Sequence, residues 1–60
     1  MRVYRCFFFD ETDHIKTAEI IDADVLTDAI DFAQVMLKHR SYDRAVELWE
    51  GGRKVYYEAA

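Results

Sequence analysis

One helical stripe, set between two stretches of strand-like sequence, most constrains how this 60-residue chain can fold. From Asp24 onward, apolar residues recur at steps of three and four, which places them on one side of an α-helix. The pattern predicts a helix over residues 25–38, with Asp24 as the N-cap that accepts from free amides of the first turn. The stripe expected to be buried consists of Leu26, Ala29, Ile30, Ala33 and Leu37.

Strand-like sequence lies on both sides of this helix. Residues 2–9 and 15–21 are rich in aromatic and β-branched side chains, and the polar segment between them predicts a turn. After the helix, residues 45–57 read AVELWEGGRKVYY. Gly51 and Gly52 fit the two central positions of a tight hairpin turn, so this segment predicts two further strands.

The paired glycines also predict a register for the last hairpin. The predicted pairs are Glu50 with Arg53, Trp49 with Lys54, Leu48 with Val55, Glu47 with Tyr56 and Val46 with Tyr57. One face then carries Val46, Leu48, Val55 and Tyr57, and the other carries Trp49 and Tyr56. A phosphate-binding loop would instead lead from the glycines into a helix, and the Val-Tyr-Tyr sequence that follows favours a strand.

The predicted fold is a single α+β domain over residues 1–60, in the order strand, strand, helix, strand, strand. Its four-stranded antiparallel sheet carries the helix on one face. If Phe9 pairs with Ile15, the side facing the helix holds Tyr4, Cys6, Phe8, Ala18 and Ile20. The other side then holds Val3, Phe7, Phe9, Ile15 and Ile21. A shift of the pairing by one residue would reverse this assignment.

A chain of this length buries only about 60% of the surface that its unfolded form exposes, so its core alone gives marginal stability. Its one cysteine excludes an intramolecular disulfide. Because one helix covers only one sheet face, we expect aromatic residues on the other face to form an interface. The predicted interface residues are Phe7, Phe9, Trp49 and Tyr56. The expected function is a small protein-interaction module that forms a homodimer, with an accessory or regulatory role beside an unidentified protein partner as an extension.

Single-stranded nucleic-acid binding is the alternative interpretation of the same aromatic residues. Bases can stack on aromatic side chains of an open sheet, with Arg53 and Lys54 near the phosphates. Trp49, Tyr56 and Phe7 would form the platform. The net charge of −4 and the lack of a basic stripe disfavour this alternative.

No residue pattern indicates catalysis, a cofactor or a metal site. Cys6 lies among aromatic residues and is interpreted as a packing residue, while the acidic residues of loop 10–14 are typical of a turn. His14 and His39 are far apart in sequence, and Ser41 is the single serine, so no nucleophile with a nearby base is evident. The chain is therefore not expected to be an enzyme.

The apolar run CFFF is far shorter than a membrane span or the core of a signal peptide. Together with the unpaired thiol, this predicts a cytoplasmic protein without a membrane partner.

Three segments carry a resemblance to a known group, namely YRCFFFDETDHI, AEIIDADVLTDAIDFA and AVELWEGGRKVY. The chain resembles short bacterial proteins of unknown function that share the strand-strand-helix-strand-strand plan and a closing ELWxGxRxV hairpin. The resemblance implies a fold and no catalytic residue. A looser similarity to small antitoxin-type domains involves the helix start around Asp28, Ala29 and Ile30. It covers about half of the chain and lacks a DNA-binding extension, so an antitoxin role is an analogy.

Overall fold

The computed structural model describes residues 2–40 and 43–60, so that Ser41 lies outside the described residues. Its elements are β1 (Arg2–Phe9), β2 (Ile15–Ala23), α1 (Leu26–His39), β3 (Ala45–Glu50) and β4 (Arg53–Ala59). The strands form one antiparallel sheet in the order β2-β1-β3-β4. The predicted α+β class and element order are confirmed.

The helix α1 packs through the predicted stripe. Ala29, Ala33 and Leu37 are buried, and Leu26 and Ile30 pack beside them against the core. The two alanines have short side chains, which lets the helix lie close to the sheet. Asp28 stands in the first turn, and Lys38 and His39 stand in the last, so the charges complement the helix dipole.

The start of α1 differs from the sequence prediction. The N-cap residue is Val25, and no side-chain hydrogen bond caps this end of the helix in the described part of the chain. The carbonyl oxygen of Val25 accepts from the amide of Asp28 at 3.2 Å. The prediction that Asp24 is the N-cap is therefore wrong, because Asp24 lies one residue too early to reach the free amides.

A β-bulge in β2 changes which of its residues meet the helix. Phe9 pairs with Ile15 as predicted, but Phe8 pairs with Thr17, so Lys16 is the extra residue of the bulge. Beyond the bulge, Tyr4 pairs with Ile21 and Arg5 with Ile20. The predicted helix-facing set of β1 is confirmed, since Tyr4, Cys6 and Phe8 are buried. For β2 the prediction is wrong: Ile21 and Ala23 face the helix, while Ala18 and Ile20 face away.

A second bulge lies in the closing hairpin. The predicted pairs Glu50 with Arg53 and Trp49 with Lys54 are confirmed. Val55 is then the extra residue, so Leu48 pairs with Tyr56 and Glu47 with Tyr57. The remaining predicted pairs are wrong by one residue, because the turn fixes the register only as far as the bulge.

The core between α1 and the sheet is built from fully buried side chains. The largest of them are Tyr4, Phe8, Leu48, Val46 and Cys6. The hydroxyl of Tyr4 is buried and forms no hydrogen bond with the residues that the structure describes. Such a group loses its hydration on folding without a replacement, and this opposes stability.

The carboxylate of Asp43 is buried and lies beside two cations. The carboxylate of Asp43 accepts from Nε of Arg40 and lies 3.6 Å from the ammonium of Lys16, the extra residue of β2. Arg40 also donates from Nη2 to the hydroxyl of Thr17 at 2.6 Å and lies over the ring of Phe8. These contacts join the end of α1, the bulge of β2 and the approach to β3.

Candidate interaction surface

The sheet face opposite α1, called here the open face, is formed by alternate residues of all four strands. Its residues include Val3, Arg5, Phe7, Phe9, Ala18, Ile20, Glu47, Trp49, Lys54 and Tyr57. Ile20 is 71% exposed, Val3 55% and Tyr57 54%, while Phe7 and Trp49 are partly buried by their neighbours. The helix packs on the opposite side, so these apolar side chains face solvent.

Arg5 and Phe7 of β1 line two grooves on the open face. One groove, of about 260 Å³, lies on the β2 side and is also lined by Ala18, Glu19 and Ile20. A second groove of about 280 Å³ lies on the β3 side, against Trp49 and the glycine turn. Both volumes are below the roughly 300–1,000 Å³ typical of small-molecule sites. The surface therefore suits a broad macromolecular contact better than an enclosed ligand.

The carboxylate of Glu47 organises the β3–β4 half of the open face. It accepts from Nε1 of Trp49 at 3.0 Å and lies 3.5 Å from Nζ of Lys54. The ammonium of Lys54 also lies 5.8 Å from the ring centre of Tyr57. These contacts restrain the side chains of Trp49 and Tyr57 before any partner binds, which lowers the entropic cost of association.

Three of the four predicted interface residues lie on the open face, namely Phe7, Phe9 and Trp49. The placement of Tyr56 there is wrong, because the bulge at Val55 turns Tyr56 toward the helix. Gln34 of α1 donates to the Tyr56 hydroxyl at 2.9 Å, and that hydroxyl donates in turn to Glu58.

The hydrogen bond between Tyr56 and Glu58 favours a protonated phenol and an ionised carboxylate. It therefore raises the pKa of Tyr56 and lowers the pKa of Glu58. Tyr57 occupies the position on the open face that was predicted for Tyr56.

The residues of the nucleic-acid alternative are divided between the two sides of the sheet. Lys54 lies on the open face but binds Glu47, whose negative charge repels phosphate. Arg53 lies across from Glu50 on the side of the helix, the same side as Tyr56. The structure does not bring these residues together with Trp49 and Phe7 into one basic aromatic platform.

The thiol of Cys6 is buried among core side chains. Burial raises its pKa to about 11, and the negative charge of Glu19 adds to this effect. Thiolate is the reactive form of cysteine, so this environment suppresses its chemistry.

The acidic first loop is organised by Asp10. Its carboxylate accepts from the hydroxyl of Thr12 at 2.6 Å and from the amides of Thr12 at 2.8 Å and His14 at 3.1 Å. These hydrogen bonds, that of the hydroxyl above all, lower the pKa of the carboxyl. The hydrogen bond from the amide of Thr12 to the carboxylate of Asp10 defines an Asx turn. Within residues 2–40 and 43–60, no group of three or more His, Cys, Asp or Glu side chains is arranged to hold a metal ion.

Sequence reasoning missed the contribution of Ile20 and Tyr57 to the open face. Ile20 and Tyr57 each stand beside a residue of equal hydrophobicity, Ile21 and Tyr56, so alternation alone does not separate them. The two bulges decide which member of each pair is exposed.

The fold and the surface define a small α+β domain with one sheet face covered by a helix and the other open. Comparisons with models of protein families, with curated proteins and with solved structures found no match for this chain. In the described part of the chain, no helix has the length and apolar character needed to cross a membrane.

Proposed function

We infer that this chain is a small protein-interaction module that pairs with a second copy of itself through the open face. The observation that carries this proposal is the apolar surface formed by Val3, Phe7, Ile20, Trp49 and Tyr57 on the side opposite α1. Contiguous exposed apolar surface on a small domain usually marks an interaction site.

The size of the chain supports the same conclusion. Burying one large apolar side chain contributes about 1.5–3 kcal/mol, whereas association costs roughly 4–15 kcal/mol in lost freedom of motion. Several such side chains from each copy are therefore needed, and the open face provides them. A domain with a marginal core gains stability from burying this surface in a dimer.

The outer side of α1 is a weaker candidate for self-association. It exposes Phe32 and Val35, but the carboxylates of Asp28 and Asp31 stand on the same helix. A contact through this helix would bury less apolar area than one through the open face, which exposes Val3, Ile20 and Tyr57 beside Phe7 and Trp49. The helix therefore supplies a control position for experiments on the open face.

Sedimentation velocity at roughly 1–100 micromolar protein tests the proposal. We expect the native chain to sediment as a dimer at the upper concentrations. Ile20→Lys should remain monomeric there, because it places a charge within the apolar contact. Val35→Lys makes the same change at a side chain that is 55% exposed on the helix, and it should still form dimers.

A native chain that stays monomeric at all of these protein concentrations would contradict the proposal. Equal behaviour of the two lysine variants would also contradict it, because the effect would then not be specific to the open face. Circular dichroism of both variants establishes that each has kept its fold.

A further inference from the structure

Four side chains at the centre of the open face form a pattern that can complement a rotated copy of itself. Arg5 lies directly across from Trp49, and Phe7 lies across from Glu47. These side chains occupy the corners of a quadrilateral that spans β1 and β3. The two aromatic residues lie on one diagonal, and the two opposite charges lie on the other.

The two charges differ in how they are satisfied within one chain. Glu47 binds Trp49 and Lys54, which fixes its carboxylate at the surface. Arg5 is exposed and has no hydrogen-bond or ion-pair partner among residues 2–40 and 43–60. Burial of an unpaired guanidinium in an apolar contact is costly, so a dimer through this face requires a partner for Arg5.

The symmetry of a homodimer restricts which partner Arg5 can meet. In a twofold interface, side chains near the axis meet their own copies, and side chains away from it meet exchanged residues. An axis along the diagonal from Arg5 to Glu47 would oppose arginine to arginine and carboxylate to carboxylate. An axis near the diagonal from Phe7 to Trp49 brings each aromatic residue close to its copy, and it brings Arg5 over Glu47.

We propose that the dimer forms about an axis near the diagonal from Phe7 to Trp49, with Arg5 of each copy paired to Glu47 of the other. This inference depends on the proposed function and specifies its partner geometry. The interface then contains two identical ion pairs around an aromatic centre. The pairs set the orientation of the copies and exclude the arrangement that opposes like charges.

Charge exchange between separate chains tests this geometry. Arg5→Glu alone places two carboxylates opposite each other across the interface, and Glu47→Arg alone places two guanidinium groups opposite each other. The dimer dissociation constant of each variant should therefore be at least about tenfold higher than that of the native chain. An equimolar mixture of the two variants should form heterodimers, which native mass spectrometry separates from homodimers by mass. The variant that carries both substitutions should recover the homodimer.

Arg53→Glu is the matched control, because it makes the same charge change on the helix side of the sheet. It should leave dimer formation unchanged. If Glu47→Arg does not fold, an alanine cycle over Arg5 and Glu47 replaces it, with loss of dimer affinity in each single variant and a smaller second loss in the double variant.

The outcomes separate this inference from the function on which it depends. A native dimer whose charge variants form no heterodimer on mixing overturns the paired geometry and leaves the open-face dimer in place. Strictly additive losses in the alanine cycle also overturn it. A native chain that is monomeric at all concentrations overturns both proposals.

Discussion

The carboxylate of Asp43 accepts a hydrogen bond from the guanidinium of Arg40, and this pair connects the end of α1 to the segment that leads into β3. The side chain of Asp43 is 1% exposed, whereas that of Arg40 is 30% exposed. The buried charge thus belongs to the carboxylate, and Lys16 provides a second cation beside it. Removal of this carboxylate affects three parts of the fold together.

Asp43→Asn should lower the free energy of unfolding by about 1.5–3 kcal/mol, because it weakens charged hydrogen bonds in a buried position. Urea denaturation followed by circular dichroism measures the change. Asp31→Asn is the control, since Asp31 is exposed on α1 and should change stability by less than about 0.5 kcal/mol. Equal effects at the two positions would show that the Arg40–Asp43 pair does not stabilise the fold.

The bulge at Lys16 makes opposite predictions for two adjacent isoleucines. Ile21 is 5% exposed, so Ile21→Ala should cost about 2–5 kcal/mol of stability. Ile20→Ala should change the stability of the monomer by less than about 0.5 kcal/mol. Denaturation at low protein concentration makes the comparison without a contribution from association. A larger loss at Ile20 would indicate that β2 has the register without a bulge.

Tyr4→Phe should stabilise the chain. The change removes a buried hydroxyl that has no hydrogen bond within the described residues and keeps the ring in the core. We expect a gain of about 1 kcal/mol, seen as a higher urea midpoint with an unchanged slope. Tyr57→Phe, on the exposed open face, should leave the midpoint where it is. A destabilised Tyr4→Phe variant would imply that the hydroxyl has a partner in solution.

The buried thiol of Cys6 predicts a loss of stability in alkaline solution. Below pH 9.0 the thiol keeps its proton in both states, whereas between pH 9.0 and about 11 only the unfolded chain loses it. The free energy of unfolding therefore falls across this interval, by about 2–3 kcal/mol from this group. Denaturation of the native chain and of Cys6→Ala from about pH 8 to 11 should show the steeper fall in the native chain. Parallel curves would contradict the prediction.

The helix and the closing turn were predictable because each depends on local spacing. The apolar residues from Leu26 to Leu37 recur with the period of an α-helix. Gly51 and Gly52 fit the central positions of a tight hairpin turn. The faces of β2 and β4 were not predictable beyond the bulges. In each strand two apolar residues of the same type stand side by side, so both registers bury similar area, and the contacts with α1 select one.

The importance of Asp43 was also hidden in the sequence. An aspartate between a helix and a strand is typical of a turn. The buried position of Asp43 depends on two cations, Lys16 of the first hairpin and Arg40, which in turn donates to Thr17 of that hairpin. The spacing of Arg40 and Asp43 at the end of the helix is the one local signal. The exposure of Arg5 beside Trp49 likewise depends on the pairing of distant strands.

The sheet order places β1, which precedes the other described elements in sequence, between β2 and β3. Its hairpin with β2 can form early, but its other edge acquires a neighbour only after α1 and β3 have been synthesised. Until then the growing polypeptide carries an unpaired backbone edge beside its most aromatic segment, a combination that promotes aggregation. β1 thus acquires its second neighbour only after β3 has been synthesised, so slow synthesis of the second half of this sequence would prolong the exposure of that edge.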